Sequence, residues 1–183
     1  FGIELIDVLD PETLDSDSSV PFWIISSLQW RDVSATSVNL QRYVDERILP
    51  HRQERGDFLL RLLADSLNPN TVFNADCLNG ILMGWSANER DAKWTSIVSL
   101  SSSELIDPLD IVEWIWDYAS ELNEHVARLA ALSLMWLLAS TDNRLRDRAT
   151  KALACILANR SAIAANLVQK LVSIDDDYII ERT

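Results

Sequence analysis

Residues 144–158 read RLRDRATKALACILA. Ala149, Ala152, Leu153, Ile156 and Leu157 fall at i, i+3, i+4, i+7 and i+8, which puts them on one side of an α-helix. Arg144, Arg148 and Lys151 recur at i, i+4 and i+7 and share another side. Downstream, Ile163, Ala164, Leu167, Val168 and Leu171 make a second stripe, with Ser161 as the expected cap. Upstream, only Arg128 and Ser133 interrupt the apolar run 126–139. That run is too short for a bilayer, which needs about 20 apolar residues, so it predicts a core helix over 124–139, opened by Asn123 or Glu124. Thr141 to Asn143 reads as the turn before the next helix. Asp107 and Pro108 have N-cap and N1 chemistry, and Ile111, Val112, Ile115, Trp116 and Ala119 continue that helix. These helices recur about every 20 residues, and Arg128 and Arg148 lie one period apart. Twice that period is about 40 residues, the size of a two-helix HEAT-like unit. Such units bury their apolar faces only by stacking.

The first half carries the same grammar less cleanly. Pro21 starts a helix that runs to Trp30, and Pro50 ends an ambiguous stretch over 34–50. A helix is expected over 52–66, with Phe58, Leu59, Leu62 and Leu63 inward and Arg52, Arg55 and Arg61 towards solvent. Asn68-Pro69-Asn70 breaks the chain. A helix over 74–86 uses Ala75, Leu78, Leu82 and Trp85; its Gly80 and Gly84 either weaken it or admit a close neighbour. A further helix over 88–99 turns Trp94, Ile97 and Val98 inward. Ser101 to Ser103 is a loop. Asp175-Asp176-Asp177 opens a last helix at Tyr178. Residues 1–20 are a less regular acidic start with a polar linker. The expectation is one all-α domain over 1–183, clearest over 108–183, built of stacked antiparallel helices as a HEAT/ARM-like α-solenoid.

Composition agrees. Gly and Pro number 4 and 5 in 183 residues, well below the roughly 12% of average usage, so tight turns are few. The formal net charge is −12, which disfavours a general nucleic-acid binder. It is unevenly spread: residues 1–124 hold 8 basic and 22 acidic side chains, and 125–174 hold 7 and 2. Cys77 and Cys155 are far apart in helical patterns and read as two reduced, buried thiols. With an acidic start in place of a basic signal sequence, a cytoplasmic protein without a membrane span is expected. The chain begins at Phe1 and stops at Thr183 within a helical pattern, as a piece of a longer protein would.

Chemistry-bearing patterns are sparse. There is no phosphate-binding Gly loop, His-Glu-x-x-His, Cys-x-x-Cys or Gly-x-Ser-x-Gly. His51 and His125 are too few for most zinc sites. No catalytic, cofactor or metal residue is assigned and no cofactor is expected. Asp110, Glu113 and Asp117 share a helix face, either as a solvated acidic surface or as a remote metal or acid–base site. The basic set is Arg144, Arg146, Arg148, Lys151 and Arg160; Arg144, Arg148 and Lys151 are the candidate partner-binding residues. Their alternative is the plain exposed side of an amphipathic helix paired with the acidic half. The seven tryptophans, at 23, 30, 85, 94, 114, 116 and 136, read as core knobs or stacking platforms. Trp114 and Trp116 cannot share a face, so one is expected in the core and the other at an edge.

Five stretches carry a resemblance: RDAKWT at 90–95, IVEWIW at 111–116, VARLAA at 126–131, LRDRATKAL at 145–153 and DDDYIIER at 175–182, with PFWIISSLQWR at 21–31 fainter. Together they resemble the helical-repeat region of very large bacterial NTPases of the STAND or NACHT type, including those linked to anti-phage defence. The resemblance implies a HEAT- or ARM-type array downstream of an ATPase module. The ATPase motif is absent here, so no catalytic residue carries over. The implied function is a non-enzymatic scaffold or sensor segment that contacts a protein or another domain of the same chain. The alternative is a nucleic-acid-binding repeat that uses the 144–151 face.

Overall fold

In the computed structural model, which describes residues 18–31, 38–100, 106–172 and 174, every regular element is helical. In chain order α1 is Val20–Ser27, closing in a 3-10 turn over Leu28–Trp30. α2 is Val38–Tyr43, continued by a π turn over Val44–Ile48. α3 is Arg52–Ala64 and α4 is Ala75–Met83. α5 covers 87–100 as Ala87–Arg90, a π turn Asp91–Thr95 and Ser96–Leu100. α6 is Pro108–Tyr118, α7 Glu124–Leu137, α8 Asn143–Leu157 and α9 Ser161–Val172. The expected helical start within 1–17, the loop at Ser101–Ser103 and the helix at Tyr178 lie outside the described residues. No helix among the described residues is long and apolar enough to cross a membrane.

Local chemistry starts these helices where the spacing places them. Asp107 accepts from the Leu109 amide at 2.8 Å and Asn123 from Val126 at 3.0 Å. Asp142 and Asn74 do the same for α8 and α4, each satisfying an otherwise open amide. Ser86 and Glu89 form a capping box at α5. Hydrogen bonds from Lys93 and Ser86 hold the Glu89 carboxyl down at about 2. Ser161 is the first helical residue rather than the cap, because the Ala164 amide already reaches the Arg160 carbonyl.

The core is organised around α7. All residues from Leu129 to Leu138 are buried, because α7 packs on α4, α8 and α9 at once. α8 also packs on α6, and α3 on α1, α4, α5 and α6. Four tertiary hydrogen bonds tie distant helices together. The Trp94 indole donates to the Trp136 carbonyl at 2.9 Å, the Trp136 indole donates to Asn79 Oδ1 at 3.1 Å, and Arg128 grips Asp76 through two bonds of 2.7 and 2.6 Å. The Arg128 bonds hold the Asp76 carboxyl below its usual range.

One device recurs. Arg55, Arg90 and Arg146 are each the fourth residue of their helix, and each side chain is buried. Each guanidinium folds back to a carbonyl just before its helix: Arg55 to Leu49 at 2.9 Å, Arg90 to Trp85 at 2.6 Å, and Arg146 to Ser140 at 3.2 Å. Arg146 also donates to Asn143. A charge is buried because its donors close carbonyls that the turn leaves open. Arg55 was expected to face solvent, and Arg146 to join the basic surface; both are corrected by this clasp. Arg61 is half-buried and pairs with Asp65 at 2.9 Å.

Other expectations are revised by packing. Trp85 lies beyond the end of α4 and is half-buried, while a Cβ at Gly80 would meet nothing within 4 Å, so no described helix packs closely there. Val168 is exposed, because α9 turns Ile163, Leu167 and Leu171 inward. Cys155 is exposed and Cys77 half-buried, both as free thiols. Of the tryptophans, Trp94 and Trp136 are core, whereas Trp23, Trp30 and Trp114 are exposed.

Candidate interaction surface

The three candidate cations sit on α8, which packs against α6. Arg148 pairs with Glu113 of α6 at 3.1 Å. Its guanidinium lies 5.8 Å from the Trp116 ring centroid, and the Lys151 ammonium lies 5.9 Å from the same ring. One indole therefore carries two cations on its face, a favourable placement against the ring quadrupole. Arg144 is exposed one turn earlier and makes no ion pair with a described residue. The structure brings Arg148 and Lys151 together and leaves Arg144 apart. Two of the three basic side chains are thus engaged at the surface by Glu113 and Trp116 of α6. Arg160 is a clasp rather than a surface cation, since it donates to the Ile156 and Leu122 carbonyls at 3.0 and 2.9 Å.

Asp110 and Asp117 are exposed, and of that set only Glu113 has a cationic partner among the described residues. Among the described residues no three His, Cys, Asp or Glu side chains are placed to hold a metal ion. His125 is exposed in the first turn of α7, and His51 is exposed at the N-terminus of α3.

Trp114 and Tyr118, on the outer side of α6, were not singled out together by spacing. Their rings lie 5.1 Å apart and both side chains are about 45% exposed, at 45% and 44%. Neither Trp114 nor Trp116 is fully core; Val112 and Ile115 fill that role. The i, i+4 separation of Trp114 and Tyr118 was the available signal.

An open cleft of about 540 Å³ lies between α2 and α4 and is lined by Asp45, Leu49, Cys77, Ile81 and Trp85 among others. Burial, and then the charge of Asp45, push the Cys77 thiol up to about 11. That is the opposite of what a nucleophilic cysteine needs. With an aromatic disulfide reagent at pH 8, Cys155 should therefore react in a fast phase. Cys77 should follow about a hundredfold or more slowly until the chain is unfolded. Two equally fast thiols would contradict this placement of Cys77.

The chain matches no known protein family, no curated protein and no solved structure.

Proposed function

We propose that this chain is a non-enzymatic helical-repeat segment, a HEAT- or ARM-like solenoid, that holds a protein partner or a neighbouring domain. In this reading it is the scaffold or sensor part of a larger bacterial signalling NTPase. The observation that carries it is the order of packing. α6 packs on α8 and α7 on α9, second-neighbour pairings of the kind that stacked two-helix units use. The arginine clasp at the start of α3, α5 and α8 adds a repeated local rule to that order. The nucleic-acid reading has less behind it, since Arg148 is engaged by Glu113 and Lys151 sits on Trp116.

Two measurements test the proposal. The coding sequence on both sides of the segment is expected to continue in frame and to encode an upstream Gly-x-x-x-x-Gly-Lys-Ser/Thr loop; a frame without one removes the NTPase part. The purified chain is expected to turn over no ATP, and steady hydrolysis by it would overturn the non-enzymatic reading. In the same preparation, salt-sensitive duplex binding that disappears on charge reversal of Arg144, Arg148 and Lys151 would favour the nucleic-acid alternative instead.

A further inference from the structure

We propose that the outward stripe of α6, formed by Asp110, Trp114, Asp117, Tyr118 and Glu121, docks a helix of a partner protein that carries Arg and Lys about one turn apart. This rests on the reading of the chain as an interaction module and supplies the chemistry of its partner.

The five residues recur at i, i+4, i+7, i+8 and i+11, so they follow one side of the helix and the turn that continues it. All five are exposed, and none of the three carboxylates has an ion pair with a described residue. Two adjoining aromatic rings left in water amid three negative charges make an uncommon surface. The rings offer apolar area and a negative π face. The carboxylates draw in cations and repel phosphate or acidic ligands.

The identity of the occupant follows from the other edge of the same helix. There a carboxylate and an indole, Glu113 and Trp116, already receive a helix, α8, through Arg148 and Lys151 at i and i+3. The outer edge repeats those elements, carboxylates beside Trp114 and Tyr118, with no described helix over them. A helix with the cation spacing of α8 is complementary to both edges, and only the inner one is filled from within the fold.

The test uses the chain as it stands and two synthetic alanine-based helical peptides, one with Arg and Lys at i and i+3, the other with Gln at both positions. Binding is followed by calorimetry and by the indole N–H signals of the ¹⁵N-labelled protein. The Arg/Lys peptide is expected to bind at low salt and to shift the Trp114 indole signal, and the Gln peptide to bind at least about tenfold more weakly. The Trp114→Ala/Tyr118→Ala variant keeps every charge and should lose about tenfold in affinity. The Asp110→Asn/Asp117→Asn/Glu121→Gln variant keeps the rings and should lose affinity together with its salt dependence. Should the aromatic variant misfold by circular dichroism, the carboxylate variant alone decides. Undiminished binding by the variants, no binding at low salt, or a Trp114 signal that stays put while others move overturns the site. A peptide-displaceable dimer in sedimentation also overturns it, because the occupant is then a second copy. ATP turnover by the chain, measured separately, strikes at the module reading and leaves the peptide result standing.

Discussion

Trp94→Ala is expected to lower the unfolding free energy by about 3–5 kcal/mol, a large share of the 5–15 kcal/mol typical of a domain. Trp94 is fully buried on the π turn of α5. Its indole reaches the last turn of α7 and donates to the Trp136 carbonyl at 2.9 Å. The Ser140 amide bonds to Leu137, so α7 does not close the Trp136 carbonyl by its own i+4 pattern, and the indole serves as its donor. Truncation thus opens a cavity in the centre and strands a buried acceptor. Trp94→Phe separates the two effects. It retains most of the ring volume and should cost about 1–3 kcal/mol, chiefly for the lost hydrogen bond. Urea unfolding of both variants measures this. A loss below about 1 kcal/mol for the alanine variant would show that the centre is not organised on this contact.

Arg90→Met should cost about 2–4 kcal/mol although it removes a charge from the interior. The Arg90 guanidinium donates to the Trp85 carbonyl at 2.6 Å and sits 5.8 Å from the Trp136 ring centroid. Methionine fills part of the space but leaves the carbonyl without its donor. Lysine should restore little, because a single ammonium lacks the planar fork that reaches both carbonyl and ring. Arg144→Met, on the exposed face of α8, serves as the reference and should change stability by no more than about 0.5 kcal/mol. Equal melting curves for the Arg90 and Arg144 variants would refute the clasp as a structural element.

These two sites mark where sequence reasoning reaches and where it stops. The caps at Asp107 and Asn123 and the buried α7 are legible because they depend on groups within about four residues or on a long apolar run. Arg55 and Arg146 are not legible in that way. On a helical wheel an arginine reads as solvent-facing, and its burial depends on the path of the turn before it. The signal, an arginine four residues after His51, Ser86 or Asp142, becomes meaningful only once the open carbonyls are seen beneath it. The tryptophans divide for the same kind of reason. Trp94 and Trp114 are equally apolar, but α7 covers the first and no described helix covers the second.

The candidate surface shows the same boundary. Spacing puts Arg144, Arg148 and Lys151 on one helix, but does not show that α6 brings Glu113 and Trp116 to two of them. Helical character, helix starts and the central apolar helix follow from residue order alone, because hydrogen bonding and periodicity act over one or two turns. Which cations another helix engages, and which aromatics stay in water, is decided by how distant helices pack, because burial is a property of the neighbour laid over a face.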